Sequence, residues 1–171
     1  IRMGKWGVSA DRLLTGTGLT PEMLREPGRH LSLAATLRLL ANARAIDPAP
    51  DLGIRLGAPM NLGSHGFLGY AFQSSRTLGE AFDLVVRFVR TRTSLLDTRI
   101  ERQGNRAALV LEERYDLGDY FTLVADAIIT SVDRPVVEPL ARRTAADGGP
   151  YLVAQSATPM LGGSVLAVRS I

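Results

Sequence analysis

The 171-residue sequence has no cysteine, one lysine (Lys5) and two histidines, His30 and His65. Without cysteine there is no disulfide scaffold and no thiolate metal site, and the chain suits a reducing compartment. Two isolated histidines with no H-E-x-x-H pattern leave little with which to hold zinc, so neither a metal nor a cofactor is expected. No apolar run approaches the roughly 18–20 residues of a membrane span, and no membrane partner is expected. Charge of one sign is also scarce: 20 Lys and Arg against 17 Asp and Glu leave a formal net charge of +3. The pI of about 9.8 reflects that small arginine excess and is weak support for nucleic-acid binding.

What is present is ordinary for a folded domain. A hydrophobic fraction of 46% with 22% charged residues excludes a disordered chain. The length suits one domain with a proper core. The sequence opens on Ile1 rather than methionine and stops at Ile171 inside an apolar run, so a piece of a longer protein is expected.

The first third reads as helical. Asp11 to Gly18 looks like a helix end with glycine exit signals, and Thr20-Pro21-Glu22 like a helix start. Pro27-Gly28 ends that element. Ser32 caps a longer helix with Leu33, Leu37, Leu40 and Ala41 on one face, stopped by Asp47 and Pro48. Asp51 opens a short helix through Leu56 and Gly57.

The character changes near residue 60. Phe67 to Gln73 is short, aromatic and bounded by glycine and serine, which predicts a strand. Thr77-Leu78-Gly79-Glu80 is a capping box, and the helix behind it aligns Leu78, Ala81, Phe82, Val85 and Val89 to about Thr93. Thr98–Arg102 and Arg106–Glu112 flank Gln103-Gly104-Asn105 as a hairpin. Gly118-Asp119 starts a helix carrying Phe121, Val124, Ala125, Ile128 and Val132. Residues 133–150 show no clear period, Tyr151–Gln155 suits a last strand, and Ser164–Ile171 begins a helix or strand. The expected class is α+β: N-terminal helices, then strand-helix-hairpin-helix, with an antiparallel or mixed sheet covered by helices. One domain over 1–171 is expected, with a helical subregion at 1–60, an α+β core at 61–132 and a divergent tail at 133–171.

Several stretches invite chemistry. Gly63, Gly66 and Gly69 in N-L-G-S-H-G-F-L-G-Y-A-F-Q suggest a phosphate loop, but a P-loop needs a following lysine and none is there. Ser64-His65 suggests a serine hydrolase, yet adjacent side chains seldom face one another and no G-x-S-x-G elbow surrounds them. Asp11 to Glu26 has the outline of a helix-turn-helix. Its second helix would offer Glu22 and Glu26 to phosphates, with Arg25 alone basic, so a structural helix pair is the better reading. Arg87, Arg90, Arg92 and Arg99 read as a solvated face paired with Asp97, Glu112 or Glu113. In the sharper reading one of them forks a ligand carboxylate. The aromatics Phe67, Tyr70, Phe72, Tyr115, Tyr120 and Phe121 read as core, a few of them suited to lining a small-ligand pocket.

The order of L-L-T-G-T-G-L-T-P-E-M-L, D-L-G-I-R-L-G, S-H-G-F-L-G-Y-A-F-Q-S-S-R-T-L-G-E-A-F and V-R-F-V-R-T-R resembles one domain over roughly residues 7–132. It is similar to the N-terminal effector-sensing, arabinose-binding-like domain of AraC/XylS-type bacterial transcription regulators. The resemblance implies a cytoplasmic, non-enzymatic regulator that binds a small effector and dimerises. Its DNA contacts would come from a C-terminal pair of helix-turn-helix motifs absent here, with Ser164–Ile171 as a lead-in. Residues 133–150 depart from the family pattern, and the subgroup name does not fix arabinose as ligand.

Residue chemistry then nominates a pocket between the sheet and the helix beginning at Leu78. Phe67, Tyr70, Phe72 and Tyr120 would form its wall, Arg90 and Arg92 would anchor an anionic effector, and His65 is a candidate polar contact. A structural dimerisation module without a ligand is the alternative, and a hydrolase built on Ser64 and His65 stands third.

Overall fold

In a computed structural model of the chain, the residues described are 9–26, 28–103, 106–132, 151–160 and 163–170. Contacts divide it into two compact units, Ile1–Leu52 and Gly53–Ile171.

In the first unit, α1 (Ala10–Leu14) starts where the Ser9 hydroxyl accepts from Arg12 N, and it buries Leu13 and Leu14. Its open C-terminal carbonyls are met by α2 (Leu33–Ile46): the Asn42 side-chain amide donates to Leu13 O and Thr15 O, both at 2.8 Å. Ser32 caps α2 as the sequence predicts, its hydroxyl accepting from Ala35 N at 3.1 Å. The helix expected after Pro21 is shorter than its cap promises. Thr20 does accept from Met23 N, but only a single 3-10 turn, Met23–Arg25, follows. One turn cannot serve as a recognition helix.

The second unit contains α3 (Leu52–Gly57, its first residue belonging to the other unit), α4 (Phe67–Ser74), α5 (Leu78–Phe88), β1 (Leu96–Gln103), β2 (Arg106–Glu113), α6 (Tyr120–Val132), β3 (Tyr151–Met160) and β4 (Gly163–Ser170). The strand predicted at Phe67–Gln73 is the helix α4. Leu68 and Phe72, four apart, are buried, while Phe67 and Tyr70 face solvent. That is a 3.6-residue period, which a short aromatic run hides from inspection. Gly66, at φ +57, turns the chain into this helix, and the expected strand glycine, Gly69, is a buried helical residue.

The Thr77 hydroxyl caps α5 by accepting from Glu80 N at 3.2 Å. The Glu80 carboxylate reaches one residue further back than a capping box predicts, to Arg76 N at 2.8 Å. Ala81, Phe82, Val85 and Val89 are buried as the spacing requires, with Arg87 and Arg90 outside. The α-helix stops at Phe88 and tightens to 3-10 through Val89–Thr91.

The hairpin forms with Gln103 opposite Arg106, its turn residues 104 and 105 outside the described set. The sheet is antiparallel throughout, in the order β1-β2-β4-β3. The tail therefore supplies half of it, and β4 lies inside, between β2 and β3. An apolar run such as Val165-Leu166-Ala167-Val168 suits an interior strand but cannot be told from a helix by periodicity. On the edge strand β3 the register shifts between Ser156 and Met160. Pro159, which has no N–H to donate, falls in that interval. The aperiodic stretch 133–150 lies outside the described residues.

Candidate functional site

The layer between α5 and the hairpin has a definite orientation. Leu96, Thr98, Ile100 and Arg102 share one face of β1 by strand alternation. Arg102 Nη2 reaches Asp83 of α5 at 3.0 Å, so this is the face that α5 covers. Leu96, Leu109 and Leu111 are buried there, and Ala81, Phe82 and Val85 are the buried residues of α5. Among them the Thr98 hydroxyl is buried and has no hydrogen-bond partner among the described residues. A buried hydroxyl without a partner costs roughly 1–3 kcal/mol, so an orphan of this kind needs an explanation. The sequence carries the signal in Leu96-x-Thr98-x-Ile100, a polar residue at an inward position, which the pattern reading overlooked.

The other face of the hairpin carries ion pairs as well as the buried Val110. Arg99 pairs with Glu101 at 2.6 Å and with Glu112, and Arg90 reaches Asp97 at 2.8 Å. Arg114 stands 3.6 Å from the same Asp97. Each side chain in this set is substantially exposed, and such pairs contribute about 0–1 kcal/mol apiece.

The glycine-rich stretch folds as a clamped turn. Asn61 and Ser64 cap each other: Ser64 N donates to Asn61 Oδ1 at 3.2 Å, and Asn61 N donates to Ser64 Oγ at 3.3 Å. The Ser64 hydroxyl also donates to Asn61 Oδ1. His65 Nε2 lies 3.0 Å from Ser131 O, and because a carbonyl only accepts, that nitrogen carries the proton. Ser131 O belongs to the last turn of α6, where carbonyls have no helical partner. From the end of α5, Arg92 Nη2 donates to Ser64 O at 3.0 Å. The serine and histidine thus serve different partners, and the serine sits in a 3-10 turn rather than at a strand-to-helix elbow. Neither feature of the hydrolase reading is present.

The nominated residues do not converge on one cavity wall. Phe72 is core, its ring edge-on to His65 at 6.4 Å. Phe67 and Tyr70 are 76% and 70% exposed, on the outer side of α4. Arg90 is taken by Asp97 and Arg92 by Ser64 O. Tyr120 is half-buried at the start of α6. Two features went unread: the Thr98 hydroxyl, and Asn61, whose spacing of three from Ser64 is the signature of a reciprocal cap.

Helices laid on an antiparallel sheet define an α+β domain, with no group of three metal-ligating side chains and no helix long and apolar enough to cross a membrane among the described residues. The family described as the arabinose-binding domain of AraC transcription regulator, N-terminal, matches residues 7–143. The chain belongs to this family of regulator sensing domains. It is also similar to the ornithine utilization regulator of Pseudomonas aeruginosa, at 29% identity over 130 residues. That match takes in 76% of this chain and 38% of the relative, so the chain spans well under half of the relative's length.

Proposed function

We propose that the chain is the non-enzymatic, effector-binding half of a cytoplasmic transcription regulator, and that it works as a homodimer. A small molecule entering between α5 and the sheet would satisfy the Thr98 hydroxyl. Its differential affinity for two arrangements would bias a DNA-binding half outside this sequence. The observation that carries the reading, beside family membership, is that buried hydroxyl without a partner on the helix-covered face of the hairpin. The similar regulator is named for ornithine utilization. Amino acids are therefore the first effector class to test.

The test is a thermal-shift screen of the 171-residue chain against ornithine, arginine and lysine, then sugars including arabinose, fatty acids and aromatic acids. A ligand at a hundred times its Kd stabilises the folded state by about 2.7 kcal/mol. Thr98→Val should abolish the shift while leaving the unliganded melting temperature unchanged or higher, since a methyl replaces an unpaired hydroxyl. A shift that survives Thr98→Val places the ligand elsewhere. Loss of the shift in Arg90→Ala or Arg92→Ala would instead support the anionic anchor. A silent screen favours the ligand-free dimerisation module.

A further inference from the structure

The α4–α5 hairpin carries an exposed aromatic strip. The Phe67 ring meets Phe88 edge-on, with centroids 6.5 Å apart. Tyr70, one turn along α4, continues the strip, and Phe67 and Tyr70 are the two most exposed large hydrophobic side chains among the described residues. The Arg87 guanidinium lies 5.4 Å from the Phe88 ring centre. Arg92 lies beside Gly66, next to Phe67: a Cβ on that glycine would be 3.5 Å from its Nη1. Among the described residues no carboxylate pairs with Arg87 or Arg92, while Arg90, Arg99 and Arg102 nearby are all neutralised by acids. Two uncompensated guanidiniums thus flank a strip of exposed rings on a surface whose other charges cancel.

We propose that this surface docks an acidic segment of another protein, one that lays an apolar side chain between Phe67 and Tyr70 and sets carboxylates against Arg87 and Arg92. Exposed aromatics supply desolvation energy at an interface, and arginines beside them fork carboxylates. A contact between two copies through the same patch on a two-fold axis would bring like guanidiniums together, which argues for a different chain as partner. Nucleic acid is disfavoured because its affinity needs a track of several basic side chains along the phosphates, and here the positive charge is confined to two.

The test uses the 171-residue chain and three fluorescent 14-residue helical peptides with one leucine pattern, their polar positions filled by glutamate, lysine or glutamine. The glutamate peptide should bind saturably and about tenfold more tightly than the glutamine peptide, with the preference fading at high salt. Phe67→Ser with Tyr70→Ser should abolish that binding. Arg87→Glu should move the preference toward the lysine peptide; among the described residues Arg87 donates no hydrogen bond, so the variant should still fold, melting slightly lower for loss of a favourable charge at the end of α5. Absence of saturable glutamate-peptide binding, equal affinity for all three peptides, or binding untouched by Phe67→Ser with Tyr70→Ser would each overturn the proposal. So would a sedimentation dimer dissolved by those two changes, which would make a second copy the occupant. Capture of a single-stranded oligonucleotide that depends on Phe67 and Tyr70 would overturn it in favour of nucleic acid.

Discussion

Gly57 of α3 lies so close to Ala127 of α6 that a β-carbon added to the glycine would stand 2.4 Å from the Ala127 carbonyl oxygen. Gly53, one turn earlier, stands in the same relation to Leu123: an added Cβ would meet its carbonyl oxygen at 2.5 Å and the Asp126 Cβ at 2.8 Å. Both obstacles include backbone, which cannot rotate aside. The two glycines, four apart, therefore set how closely α3 approaches α6.

Gly57→Ala should accordingly lower unfolding stability by about 2–3 kcal/mol, at the upper end of overpacking costs, and Gly53→Ala by a similar amount. Gly79→Ala is the contrast. Its Cβ would meet nothing nearer than the Thr77 hydroxyl at 3.9 Å, and alanine suits a helix better by up to about 1 kcal/mol. Urea melts of the three variants check the ordering; a neutral Gly57→Ala would mean that the helices separate without cost.

Removing a cap should register more modestly. Thr77→Ala leaves Glu80 N without its acceptor and should cost about 1 kcal/mol. Asn61→Ala removes the side-chain acceptor of Ser64 N while leaving the backbone half of the reciprocal cap in place, and should cost up to about as much, through the turn rather than a long helix. Melting curves that place either variant level with wild type would show the cap to be redundant with water.

The clamp on the Ser64–Gly66 turn gives a local prediction. His65→Ala frees Ser131 O at the end of α6, and Arg92→Ala frees Ser64 O. Each lost hydrogen bond should cost about 0.5–1.5 kcal/mol, with the charged donor toward the top of that range. Hydrogen exchange at the amides of residues 64–69 should quicken in both variants. Only His65→Ala should also quicken exchange near the end of α6.

Two carboxyl groups should respond to acid with opposite signs. Burial pushes the Asp126 carboxyl above the ordinary aspartate value. Its ionised form is thus the costly one when folded, and that cost is present above the raised value and disappears as pH falls through it toward the ordinary value. Glu80 is held below the ordinary glutamate value, chiefly by the backbone N–H of Arg76 and next by the Arg76 side chain. Its contribution is present above the ordinary value and is lost as pH falls through the lowered one. Asp126→Asn should therefore raise the melting temperature at neutral pH and Glu80→Gln should lower it. Both differences should shrink on acidification, the first at the higher pH. Matching signs at neutral pH would contradict the reading.

Local chemistry determined much of this protein. The caps at Ser32 and Thr77, the buried stripe of α5 and the two hairpin strands follow from side-chain oxygens, period and turn residues close together in the chain. So does the lack of a P-loop motif, which would require a lysine that the stretch does not have. Tertiary structure decided the rest. Phe67–Ser74 became a helix because Leu68 and Phe72 both find a buried side there, and a short run cannot announce which period it will obey. β4 went inside the sheet because β2 had a free edge, a fact about partners more than fifty residues apart in sequence. Gly63 and Gly66 serve a turn held by Arg92 and His65, while Gly69 is buried within α4. Those bonds span 28 and 66 residues, and no local pattern encodes contacts at that range. The inward threonine of β1 stood in the alternation from the start; only the packing of α5 over it left its hydroxyl without a partner.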